Sequence, residues 1–225
     1  MTAVCMVVHA EGPGDLGKTN WELSPGDSLQ PEDLGPAHII VQRILSEGIQ
    51  IPAPAIDFVE PLRTKTGARP KGSQLLKPRI LDEILISWRL SQPLIILLVD
   101  SDDQQPDERT AILKNALTRN SLVGAVGVAV KEFEAWLIAD ANALGQVIGK
   151  VDNACQLPEK LACQEAKQNL QKWTQDIAYS SRTSIDIRRE LASAMNLDTV
   201  ANLCPSFKAF RQELLALDDR GFSAK

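Results

Sequence analysis

The stretch Leu94-Ile-Ile-Leu-Leu-Val-Asp100 constrains the fold more than any other: six consecutive apolar residues followed by a carboxylate. A strand with one wet face alternates apolar and polar side chains. An unbroken apolar run of this length therefore predicts a strand covered on both faces, as in a parallel sheet between two layers of helices. Three more segments have the same character: "VCMVVHA" (4–10), "AIDFVEPL" (55–62) and "LVGAVGVAV" (122–130). Helical patterns lie between them. Ile40, Ile44 and Leu45 share a face of residues 34–49, and Leu81, Ile84, Leu85 and Trp88 form a stripe over 75–90 with Pro78 near its first turn. Residues 107–120 begin acidic and end basic, as the helix dipole prefers. The alternation predicts an α/β core over residues 1–150, a parallel-rich sheet of about four strands flanked by helices. After residue 131 the patterns are helical: "KEFEAWLIADANALGQVI", then "QEAKQNLQKW", "DIRRELASAM" and "SFKAFRQELLAL". They predict a helical C-terminal region, 151–225, packed on the core as one compact unit.

Composition narrows the classes of function. A chain of 225 residues can bury one sizeable core. A net charge of −5 argues against indiscriminate coating of nucleic acid while leaving room for a local basic patch. No basic segment precedes the first apolar run, and no apolar stretch approaches the roughly 20 residues that span a bilayer. The expectation is a soluble, cytoplasmic protein without a membrane partner. Cys5, Cys155, Cys163 and Cys204 show no C-x-x-C pairing, which predicts free thiols. His9 and His38 are the only histidines and lie far apart, so a histidine-based metal site or triad has no support.

The first apolar run ends in "HAEGPGDLGKT" (9–19), which admits two readings. Gly12 to Thr19 fits the phosphate-loop spacing G-x-x-x-x-G-K-T, which would make Lys18 and Thr19 nucleotide ligands. Such a loop works through a nest of backbone N–H groups and a helix that begins at once. Here Pro13 removes one N–H, Glu11 and Asp15 face the polyanion, and Ser24-Pro25-Gly26 interrupts any helix. Like charges ~4 Å apart cost about 4 kcal/mol even at an effective dielectric near 20.

The second reading is an acidic turn. In parallel sheets, functional groups gather beyond the carboxyl ends of the strands. Glu11 and Asp15 follow strand one; Asp100, Asp102 and Asp103 follow strand three. If those strands are neighbours, four or five carboxylates converge, and a hard divalent cation relieves their repulsion. Asp100 and Asp102, at i and i+2, reach the same side if the strand geometry continues. Glu134, beside the apolar Trp136 at the start of a helix, is a further candidate. Glu132 reads as a solvated first-turn acid, Asp103 as a turn residue and Asp140 as a helix-end residue.

Glu-Gly-x-x-Asp after strand one, Asp-x-Asp after strand three and Glu-Ala-Trp-Leu-x-Ala-Asp after strand four, in that order, resemble the Toprim fold. Within it the chain is most similar to the overcoming-lysogenization-defect (OLD) nucleases and their small stand-alone relatives of bacterial defence loci. "CPSFKAF" (204–210) fits those relatives, and "EAKQNL" keeps Lys167 and Leu170 but has Ala166 where they carry proline. Residues 16–33 are longer and more broken than the usual passage into the first helix. The resemblance implies Mg²⁺ (or Mn²⁺) held by Glu11, Asp15, Asp100, Asp102 and Glu134 for phosphodiester chemistry on DNA or RNA. It implies Glu11, Asp100 and Asp102 as catalytic, Lys167 as a neutraliser of transition-state charge, and a separate ATPase as partner. It also admits a non-catalytic interaction subunit with a vestigial acidic site.

"RTKTGARPKGSQLLKPR" (63–79) carries Arg63, Lys65, Arg69, Lys71, Lys77 and Arg79 with no acid. In an acidic chain this reads as a loop that follows a nucleic-acid backbone. Few aromatic residues interleave it, so base stacking is not indicated.

Overall fold

The four apolar runs form a single sheet, ordered β2-β1-β3-β4 with every neighbouring pair parallel. Its strands are β1 (Val4–Ala10), β2 (Ile56–Val59), β3 (Leu94–Asp100) and β4 (Gly124–Ala129). The structure, a computed structural model, describes residues 3–12, 14–18, 20–63, 69–70, 72–149, 156–175 and 182–217. Its helices are α1 (Pro36–Gly48), α2 (Gly72–Leu75), α3 (Pro78–Ser87), α4 (Pro106–Arg119), α5 (Glu134–Leu137), α6 (Ala141–Val147), α7 (Glu165–Thr174), α8 (Ser184–Ala194), α9 (Leu197–Leu203) and α10 (Pro205–Leu215). Among the described residues, no helix is long and apolar enough to cross a membrane.

The alternation of β3 shows why its sequence is apolar throughout. Leu94, Ile96 and Leu98 enter one core with Met6, Val8 and residues of α1, α8 and α10, while Ile95, Leu97 and Val99 enter a second with Val7 and residues of α3 and α4. The C-terminal helices share the first core with the sheet instead of forming one of their own. Trp136 is its centre: fully buried, stacked on Phe210 at 5.7 Å between centroids and met edge-on by Phe207 at 5.3 Å. Its indole N–H donates to Ser206 Oγ (2.9 Å), so the "PSF" segment anchors the helix that carries Glu134.

Several expected elements are subdivided. Residues 75–90 form α3 preceded by the separate short α2, because Pro78 can begin a helix but not continue one. The pattern 131–148 is interrupted where Asp140 caps α6, accepting from the amides of Asn142 (2.9 Å) and Asn196 (2.7 Å). Within the 16–33 stretch, residues 26–29 run along the outer edge of β2. Ser28 bridges Val59 antiparallel, Leu29 N–H donates to Phe58 O (2.7 Å), and Glu60 N–H donates to Asp27 O (2.8 Å). The insertion thus covers an edge strand that would otherwise present unpaired backbone groups.

Both histidines are buried. Burial lowers His9 to about 4, and burial with the nearby Arg69 charge lowers His38 to about 3. His38 Nδ1 accepts from Gly35 N–H (3.1 Å) at the start of α1, while Nε2 of both His9 and His38 has no hydrogen-bond partner among the described residues. A folded-state value below the unfolded one means the native state binds fewer protons, so this stability is full above about 6.5 and is lost as pH falls toward 4. Relative to the wild type, His9→Leu should remove roughly 2.4 kcal/mol of the loss between pH 7 and 4.5. Urea unfolding of both proteins at the two pH values measures it; identical acid losses would show that His9 is not the responsible group.

Candidate functional site

Parallel pairing sets the site. In register, Ala10 lies opposite Leu98, so β3 outruns β1 by two residues and Glu11 comes level with the end of β3. Glu11 Oε2 accepts from the Asp100 amide at 2.7 Å. Asp100 Oδ1 accepts from the amide of Phe133 (2.8 Å), just beyond β4. Gly12 N–H donates to Asp15 Oδ2 at 3.0 Å, closing the turn after β1. Close backbone contacts hold these acids in place. Gly17, at φ +83°, and Gly35 meet backbone to backbone, and a Cβ at Gly72 would collide with the Glu11 carboxylate.

Around these groups lies a cleft of about 650 Å³. Glu11, Asp15, Asp100, Asp102, Glu132 and Glu134 line it together with Lys18, Lys131, Lys167 and Arg188. The expected acids therefore meet, but not as equals. Burial first, then the charge of Glu134, pushes Asp15 up to about 7, with Arg188 opposing. Burial, followed by Asp15, Glu11 and Glu134, raises Asp100 well above the carboxylate range. Burial also raises Glu11, opposed by the Asp100 amide; the charges of Asp102 and Glu134 add to the rise, and Arg109 opposes it.

Asp102 departs from the expected strand geometry. Its backbone turns to φ +50°, and Oδ2 faces the buried Arg109 (3.1 Å) at the half-exposed lip of the cleft. The i, i+2 arrangement fails because the strand ends at Asp100. Lys131 (φ +64°) and Gln164 (φ +68°) also line the cleft in the left-handed region. Such strain concentrates at functional sites.

Glu132 corrects the expectation of a solvated acid: it is buried, and Oε1 accepts from the Lys167 amide (3.0 Å). The largest addition is Arg188 of α8. Its Nη1 donates to Asp15 Oδ1 (3.2 Å) and its Nη2 to Glu134 Oε1, so it bridges the acid beyond β1 to the acid beyond β4. No sequence spacing links residue 188 to residues 15 and 134; the packing of α8 against α1, α5 and α6 brings them together. Arg109 is a second unforeseen cation, donating to the Asp100 carbonyl.

The basic stretch divides. Arg63 and Arg69 are not phosphate ligands here: both pair with Glu60, which is fully buried, Arg69 Nη2 lying 2.6 Å from Oε2 and Arg63 Nη2 3.3 Å from Oε1. An ion in that position requires hydrogen-bonded partners, and the arginines also donate to the carbonyls of Leu16, Gly17, Asn20 and Leu23. Lys77 and Arg79 are exposed, Arg79 lying 3.5 Å from Glu83. Lys65 and Lys71 lie outside the described residues, as does Cys155. Lys18 lines the cleft, yet α1 begins only at Pro36, so the Gly12–Thr19 segment lacks the helix a phosphate loop requires.

The donor chemistry suits a hard divalent cation: buried carboxylate oxygens whose mutual repulsion raises their proton affinity. Among the described residues, no three His, Cys, Asp or Glu side chains are already gathered as a metal-ligand group. The reason is visible, since Arg188 draws Asp15 and Glu134 to itself and Arg109 draws Asp102 away.

A family model described as "Domain of unknown function (DUF4276)" matches residues 37–215. The match includes Asp100, Asp102, Glu132, Glu134, Lys167 and Arg188, while β1, Glu11 and Asp15 precede it. No curated protein and no solved structure matches the chain.

The two classes of basic residue should separate in mutants. Arg69→Ala leaves Glu60 buried with reduced compensation and should destabilise the fold by about 3–5 kcal/mol, whereas Arg79→Ala should stay within about 0.5 kcal/mol. Chemical denaturation reads both. An Arg69→Ala protein of unchanged stability that bound nucleic acid less tightly would restore the phosphate role.

Proposed function

The chain belongs to the DUF4276 family; from the geometry of its cleft we propose a Toprim-like, divalent-metal-dependent phosphodiesterase site acting on DNA or RNA. The observation that carries this reading is the convergence of Glu11, Asp15, Asp100 and Glu134, from the carboxyl ends of three parallel strands, in one cleft that also holds lysines. Structural acids are spread to avoid one another; here several raise one another's proton affinity. That pattern marks functional sites.

Glu11, Asp15, Asp100 and Glu134 would hold Mg²⁺ or Mn²⁺. The ion, when bound, supplies Lewis-acid polarisation of a phosphoryl oxygen and acidifies a bound water. The chain's own groups do the rest. The Asp100 amide fixes the Glu11 carboxylate, the Phe133 amide fixes that of Asp100, and Arg109 holds the end of β3 through the Asp100 carbonyl. Lys18 and Lys167 line the cleft and would meet a polyanion there, Lys167 neutralising charge at the phosphate. Lys77 and Arg79 are exposed and open to a polyanion. A separate ATPase partner, as in the OLD-like systems the sequence resembles, is part of this reading.

Purified protein should nick plasmid DNA or cleave RNA in Mg²⁺ or Mn²⁺ and not in EDTA. Asp100→Asn and Glu11→Gln should each lower the rate at least about 100-fold. Undiminished cleavage by both variants would show that the activity arises elsewhere or from a contaminant.

A further inference from the structure

Arg188 stands where the proposed ion would act. Its side chain is only 16% exposed and bonds to Asp15 and Glu134, two of the four acids assigned to the metal. It is also wedged against the turn after β1, since a Cβ at Gly14 would lie 2.8 Å from its Nη1. The helix that carries it has independent anchors. Ile187, Leu191 and Ala192 are buried, Thr183 and Asp186 form a capping box, and Arg189 donates to the carbonyls of Pro31 and Glu32 (both 2.8 Å). The guanidinium can therefore leave its acids by side-chain rotation, without α8 undocking.

Resting on the metal reading above, we propose that Arg188 is a built-in competitor of the divalent ion, satisfying Asp15 and Glu134 until the ion takes them. A guanidinium and a divalent ion cannot both occupy the gap between two carboxylates, because like charges at contact distance repel. The competition has two consequences. The fold is protected from its own buried acids when metal is scarce, and metal affinity is set below what the acids alone would give.

Calorimetric titration with Mn²⁺ at pH 8 tests this on the full chain, comparing wild type with Arg188→Ala, Arg188→Gln and Arg189→Ala. Both Arg188 variants should bind Mn²⁺ about tenfold more tightly, and Arg189→Ala should match the wild type. In EDTA the Arg188 variants should melt below the wild type, and saturating Mn²⁺ should raise their melting temperatures more than it raises the wild type's. Equal or weaker Mn²⁺ binding by the Arg188 variants would overturn the proposal and make Arg188 a clamp that positions the acids. Absence of Mn²⁺ binding by every protein, wild type included, would instead remove the metal reading and this inference with it.

Discussion

Repulsion among buried carboxylates is the constraint around which the rest of the molecule is arranged. The parallel pairing of β1 with β3 brings Glu11 onto the Asp100 amide, and Asp15, Asp100 and Glu134 gather beside it. The fold offsets their repulsion with backbone amides at Glu11, Asp15 and Asp100, with Arg109 behind β3 and with Arg188 between Asp15 and Glu134. Each compensator comes from a different element, so strands, loops and C-terminal helices are all tied to one cleft. An arrangement that concentrates negative charge in this way has little structural purpose of its own. Under the proposed function it is a site that manages a cation.

A second buried charge cluster supports the first. Glu60 leaves β2 fully buried and is met by Arg63 and Arg69. Arg69 also reaches the carbonyls of Leu16 and Gly17, and Asp15 O accepts from the Ala37 amide at the start of α1. The turn that carries Asp15 is thereby held from two sides. The 20–33 segment, fastened to β2 and to Arg63, completes this support and closes the sheet edge. What looked in the sequence like an interruption of the usual strand-to-helix passage is the brace of the site's first loop.

The strands were legible because burial on both faces leaves no room for polar residues, and β3 was matched residue for residue. Boundaries drifted where polar or proline residues end the ladder: "AIDFVEPL" contributes only Ile56–Val59, since Glu60 turns inward to its arginines. The acids beyond β1 and β3 were legible because strand order alone brings them together. Asp102 was misplaced because a left-handed backbone residue cannot be foreseen from an i, i+2 spacing. Arg188 was invisible, its role depending on how α8 docks. Arg63 and Arg69 were misread because composition describes a segment's charge, not the partner it meets. The available signal was Glu60, a carboxylate directly after an apolar strand.

The account stands on the claim that these acids together hold a divalent cation. Anomalous diffraction from crystals soaked in Mn²⁺ examines it most directly. The account requires a manganese peak in the cleft, about 2.1 Å from oxygens of Asp100 and Glu11, with the Arg188 guanidinium moved off Asp15 and Glu134. A fully soaked crystal with no manganese in the cleft and Arg188 still bridging both acids would contradict it.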